Sequence, residues 1–214
     1  MGIFLNETKS VGTQVPYRCE SFIIMKSPTL LFVLLLSSCG VLKPVEDKSM
    51  NHILDATIPV RTVTGSSPAI AIARPALPGY LDRQQLVSRG TDGTVKMNPS
   101  QLWAEPLDTG ISRVMAMNLG RLTNSLNVQP VETFVTMDYQ HLLEIRISRF
   151  EPDASGLLIM ECTWKLQPVS GRVTNPRPFR TAIPLASAEA SHASEVRAMN
   201  EALARLAREI ARSR

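Results

Sequence analysis

Between Leu158 and Leu166 every second residue is apolar: Leu158, Met160, Cys162, Trp164 and Leu166 share one face of an extended chain, and Glu161, Thr163 and Lys165 share the other. Such a strand has one wet face and one that must be covered. A second one precedes it, where Leu143, Ile145 and Ile147 alternate with Glu144, Arg146 and Ser148. The intervening Asp153-Ala154-Ser155-Gly156 has the chemistry of a turn. A half-buried antiparallel pair is therefore the predicted centre of the fold, and another layer must close over its apolar side.

Two segments with helical spacing supply that layer. Pro106 suits the first turn of a helix, where its missing N–H costs nothing. Leu107, Ile111, Val114, Met115, Leu119 and Leu122 follow at intervals of three and four, predicting a helix to about Asn124. Near the C-terminus Val196, Met199, Leu203, Leu206 and Ile210 form a second stripe, with Glu189 and Glu195 early and Arg205, Arg208 and Arg212 late, as the helix dipole favours. This seam either packs wholly on the sheet or gives part of itself to another subunit. Further strands are predicted at Ala69 to Arg74, Gln85 to Arg89, Val128 to Phe134 and Phe179 to Pro184, the last an edge because of its proline. Thr91-Asp92-Gly93-Thr94 reads as a hairpin turn and Ser170-Gly171 as another. The expected fold class is α+β: a two-layer domain over residues 68–214, in which a mixed, mainly antiparallel β-sheet packs with two long amphipathic helices.

The N-terminal part has a different character. From Met25 the order is Lys26, an apolar run Leu30 to Leu36, then Ser37, Ser38 and Cys39, which is the charge, core and small-residue order of an export signal. A helix of that run is about 10 Å long at ~1.5 Å per residue, against a hydrocarbon core of about 30 Å, so it cannot span a bilayer. Leu36-Ser37-Ser38-Cys39 also resembles the bacterial lipobox. That resemblance implies diacylglycerol on the Cys39 thiol and cleavage between Ser38 and Cys39, so that residues 1–38 are a signal peptide. Glu7, Lys9, Arg18 and Glu20 make a long mixed-charge lead, which implies translation from Met25 or an extended leading segment that is removed. Gly40 stands where an aspartate is the usual inner-membrane retention signal, so the outer membrane, on its periplasmic face, is the expected location. Residues 39–67 carry Pro44, Pro59 and Gly65 without a sustained period and read as a lipid-anchored tether, with a strand near Ile58 to Val63.

The signals of catalysis are weak. His52, His141 and His192 have no cysteine or carboxylate at metal-ligand spacing, so no metal is expected, and surface or hydrogen-bonded roles are expected for His141 and His192. No HExxH, CxxC, GxSxG, Walker loop or GxGxxG is present, so neither an enzyme nor a cofactor is predicted. Lysine and arginine number 23 against 19 aspartates and glutamates, and 5% of residues are aromatic, which gives no clustered basic footprint or stacking platform for nucleic acid. After cleavage Cys162 is the spare thiol beside Cys39, and its strand parity places it inward as a small core hydrophobe.

Two stretches carry a family signal: Leu77-Pro78-Gly79-Tyr80-Leu81-Asp82-Arg83 with Leu86-Val87-Ser88-Arg89, and Trp103-Ala104-Glu105-Pro106-Leu107-Asp108 followed by Ile111, Arg113-Val114 and Asn118-Leu119. With the lipobox and the Ala/Arg-rich last helix, the chain resembles the ABC-type transport auxiliary lipoprotein family, whose best-known member type is PqiC, over about residues 30 to 212. Gln84 departs from the proline common after that arginine. The resemblance implies a non-enzymatic subunit of a lipid-transport, membrane-integrity system. Such a subunit works beside a membrane-anchored protein with mammalian-cell-entry (MCE) domains and, in many systems, an ABC permease and ATPase, docking to the transport conduit. A homo-oligomer would suit a tubular partner. Tyr80, Asp82, Arg83, Trp103 and Glu105 are the candidate partner contacts. Equally, the Pro-Gly turn, a local Asp82–Arg83 ion pair and Trp103 packed on the first helix could serve to hold the fold. The competing expectation is a lipid-binding lipoprotein that shelters an acyl chain itself, which requires a continuous apolar cavity.

Overall fold

The structure, a computed structural model, describes residues 48–60, 62–66, 68–131, 138–186 and 192–213. The predicted signal segment, with Ser38 and Cys39, lies outside these residues, as does the predicted strand continuation to Phe134.

The predicted pair is present and is the longest among the described residues. Sequential strands are β1 (Met50–His52), β2 (Ile70–Ile72), β3 (Gln85–Arg89), β4 (Val95–Trp103), β5 (Val128–Pro130), β6 (His141–Pro152), β7 (Leu157–Pro168) and β8 (Arg177–Pro184). The helices are α1 (Leu107–Thr123) and α2 (His192–Arg212). β6 and β7 pair antiparallel, with Ile145 opposite Trp164 and Ile147 opposite Cys162. Their turn is built by Asp153, whose Oδ1 accepts the N–H of Ser155 (2.9 Å) and Leu157 (3.2 Å). Gly156 there takes φ +76°, a value that a side chain resists. The hydrogen bonds, led by that from the Ser155 hydroxyl, hold the Asp153 carboxyl below its ordinary pKa.

The fold class is α+β, with the strands divided between two sheets. The larger has the order β5-β2-β6-β7-β8 and the smaller β1-β4-β3. β8 lies at an edge, as its proline requires. β2 is parallel to both β5 and β6. β2 ends at Ile72, yet beyond Pro75 the chain continues beside β6 through Ala76, whose N–H donates to the Ile145 carbonyl (3.0 Å) and whose carbonyl accepts the Ile147 N–H (2.9 Å). α1 and α2 contribute Ile111, Val114, Met115, Leu119, Leu203, Leu206 and Ile210 to one core with the inward faces of β6 and β7. Asn124, at φ 54°, ends α1 in the left-handed conformation.

A bulge in β6 changes what its alternation implies. Ile147 faces Cys162 and Arg149 faces Glu161, so Ser148 is the extra residue. Beyond it the parity reverses: Phe150 pairs with Met160 on the core face, and Glu151 turns to the other side beside Ile159.

The segment read as the end of a tether is instead part of the domain, and Asp47–Arg214 forms one compact unit. β1 runs parallel to β4, and the described part of Ile58 to Val63 is irregular. Leu54 and Ile58 are buried, at 2% and 6% exposure. The backbone of this strap is held by side chains: Asp55 N–H donates to Asn200 Oδ1 (2.9 Å) and Ile58 N–H to Asn118 Oδ1 (3.2 Å). The Leu54 carbonyl accepts from Arg113 (2.7 Å) and the Ile58 carbonyl from Arg121 (2.7 Å). Partners drawn from two helices leave no periodic trace in the strap itself, which is why it reads as a linker. Leu54→Ala should lower unfolding free energy by about 2–5 kcal/mol, as for other large-to-small core changes. Urea titration measures this, and a loss under about 1 kcal/mol would show that the strap is dispensable.

Candidate functional site

The first motif folds around a buried carboxylate that the sequence did not single out. After Gly79 the chain turns, with Leu81 N–H donating to the Pro78 carbonyl (2.9 Å), and Leu81 enters the core. Tyr80 is thereby pointed at Glu151, a residue 1% exposed. The Tyr80 hydroxyl donates to Glu151 Oε2 (3.0 Å), with the Ser148 carbonyl also near (3.2 Å), and accepts from Arg89 Nη2 (3.0 Å). Arg89 Nε donates to Glu151 Oε1 (2.7 Å), Arg149 Nε reaches the same oxygen (3.2 Å), and the Phe150 N–H donates to Oε2 (2.8 Å). The Arg89 guanidinium also lies 5.3 Å from the centre of the Tyr80 ring. Burial first, and the Glu151 charge next, raise the Tyr80 pKa; the hydrogen bond to Glu151 raises that of Arg89. The bonds from Tyr80, Arg89 and Arg149 to Glu151 thus fasten β3 and the turn after Pro78 to β6.

Asp82 and Arg83 follow on the exposed surface. They do not pair: the Arg83 guanidinium donates to the Gly79 carbonyl (3.3 Å) and the Met97 sulfur (3.0 Å). Trp103 is buried at 8% exposure, as its alternative reading as a residue packed into the fold requires, and its backbone N–H donates to the Gln84 carbonyl (2.6 Å). Glu105 pairs with Arg113 (2.6 Å), and Arg113 in turn holds the strap at Leu54. Ala104 N–H donates to the His52 carbonyl (2.8 Å). The second motif thus fastens the strap to α1. Of the five candidate contacts, Asp82 and Arg83 are presented outward, Tyr80 and Glu105 are half-buried in internal bonds, and Trp103 belongs to the core.

The rings of His52 and His192 are hydrogen-bonded. His52 Nε2 lies 2.6 Å from Gln101 Oε1, and His192 lies between Asn98 (2.9 Å) and Glu195 (3.1 Å). Their rings are 6.5 Å apart. Among the described residues no three His, Cys, Asp or Glu side chains are placed to hold a metal, and no helix is long and apolar enough to cross a membrane. Cys162 is buried, and burial pushes its thiol up to about 12, far from a reactive thiolate at neutral pH.

A family model described as the ABC-type transport auxiliary lipoprotein component matches residues 52–211. The chain belongs to that family. The match begins within the strap, in keeping with a domain that starts there. A crystal structure of an uncharacterized protein superposes with a TM-score of 0.64 at 18% identity, covering 77% of this chain and 97% of that one. A Xanthomonas campestris protein superposes with a TM-score of 0.57 at 21% identity, covering 75% of this chain and 92% of that one. These likenesses are of fold. A search of curated proteins finds no match.

Two predictions follow from the cluster and the core thiol. Arg89→Ala should cost about 3–5 kcal/mol, because it leaves a buried charge short of a partner; chemical denaturation that finds less than about 1 kcal/mol would show the pair to be incidental. Cys162 should resist iodoacetamide at pH 8 in the folded protein and react fully in urea. Its folded pKa is raised, so the associated stability is present below the unfolded value near 9.0 and is lost as pH rises through about 12.

Proposed function

We propose that this protein is the outer-membrane lipoprotein subunit of an MCE/ABC-type lipid-transport system, anchored through Cys39 and acting by docking to the transport conduit rather than by catalysis. Membership of the transport auxiliary lipoprotein family is the observation that carries this reading. The Leu36-Ser37-Ser38-Cys39 sequence supports the anchor, and acylation by more than one chain, at ~0.8 kcal/mol per buried methylene, makes such an anchor stable.

The internal bonds of the two motifs refine the contact. Tyr80, Trp103 and Glu105 position the surface, while Asp82 and Arg83 are presented on it. A charged, exposed loop on a rigid base sets orientation and partner choice more than raw affinity. The permease and ATPase would supply the energy, since no nucleotide motif is present in this chain.

Crosslinked pull-down of the full-length protein from envelope membranes, with palmitate labelling, tests the proposal. Wild type should take up label and recover an MCE-domain protein, and Cys39→Ser should lose the label. Asp82→Lys with Arg83→Glu should reduce recovery at least about tenfold, equivalent to ~1.4 kcal/mol, without altering the melting curve. Labelling with no MCE protein recovered would defeat the docking role and leave the anchor standing.

A further inference from the structure

A groove of about 610 Å³ lies along α1, between Val63 and β5, and shares only Arg113 with the motif clusters. Its α1 side is low because Ser112, Ala116 and Gly120 recur every four residues, and Met117, Leu126 and Val128 give it apolar walls. A β-carbon at Gly120 would sit 2.9 Å from the Ser125 carbonyl oxygen, so the glycine lets the chain after α1 pass close beneath. Leu126 stays 62% exposed at the rim and extends the apolar lining outward.

The dimensions and charge both point to an amphiphile. From Thr109 to Gly120 the lining stretch of helix is about 17 Å long at ~1.5 Å per residue. One leaflet's share of a hydrocarbon core of about 30 Å is close to that, at about 15 Å. The volume lies within the ~300–1,000 Å³ of small-ligand sites. Arg74, Arg113 and Arg121 line the groove, with no Asp or Glu among the described lining residues. Arg113 is paired with Glu105, and Arg74 faces Asp108 at 3.3 Å. Arg121 spends Nη1 on the carbonyls of Ala56 (3.2 Å) and Ile58 (2.7 Å) and meets no acidic side chain among the described residues.

We propose that this groove holds one acyl chain of an anionic phospholipid, with Arg121 meeting the headgroup phosphate. The inference deepens the transport reading, on which its physiological setting rests: the docking subunit also touches the cargo class. A peptide strand is the poorer occupant, because the neighbouring edge, β5, is three residues long and ends in Pro130, which has no N–H to donate.

The test uses the full-length protein in phosphatidylcholine nanodiscs, with a phosphatidylglycerol probe carrying a diazirine on one acyl chain. Crosslinks located by mass spectrometry should concentrate in residues 109–130 and exceed those of the matched phosphatidylcholine probe at least about tenfold, a difference of ~1.4 kcal/mol. Ala116→Phe should fill the trough and abolish this capture. Leu126→Asp, at an exposed position, serves if the first variant melts early. Arg121→Gln should lower phosphatidylglycerol capture to the phosphatidylcholine level. Crosslinks spread evenly over the surface, or equal capture of the two probes, would overturn the proposal. MCE-protein recovery from the same variants separates the two readings. A recovered partner without groove crosslinks defeats the groove alone, and groove crosslinks without a partner defeat the docking role alone.

Discussion

A carboxylate with no access to water must find its solvation inside the protein, and Glu151 imposes that demand on everything around it. Its two oxygens take hydrogen bonds from Arg89, Arg149, Tyr80 and the Phe150 amide. Those donors come from the end of β3, from the turn after Pro78 and from β6 itself. Satisfying the carboxylate therefore ties β3 of the small sheet to β6 of the large one. It also accounts for the bulge at Ser148, which points Glu151 and Arg149 away from the core face and gives Phe150 that place instead.

Glu105 works in a comparable way at lower burial. Through Arg113 it holds the Leu54 carbonyl, while Asn118, Arg121 and Asn200 hold neighbouring groups of the strap. The residues that mark the family are thus engaged in joining segments distant in sequence, and the surface that remains for partners is narrower than the motifs by themselves imply.

The long elements were legible because their periods are uninterrupted. The inward face of β7, the burial of Cys162 and both helices follow from spacing alone, and the edge position of β8 from its proline. The strap was not, since its backbone bonds to side chains of α1 and α2 rather than to a strand along most of its length. Nor was Glu151, because β6 reads as a simple alternation and nothing local announces that one residue is extra. The division into two sheets depends on the same unseen joint. For the candidate site, motif residues could be found by resemblance, but Tyr80 and Glu105 were drawn inward by partners 71 and 8 positions away along the chain, and Trp103 by packing in the core.

The early start of the folded unit changes the mechanics of attachment. With the lipid on Cys39, as proposed, the chain from the anchor to β1 at Met50 has a contour of at most about 40 Å at ~3.3–3.6 Å per residue. A free tether running to residue 67 would have allowed about 100 Å by the same measure. The shorter leash confines the domain to a shell close to the bilayer. Any pull on the anchor enters at β1 and is shared along the strap by Asn200, Arg113, Asn118 and Arg121, so the load reaches both helices before it reaches the sheet.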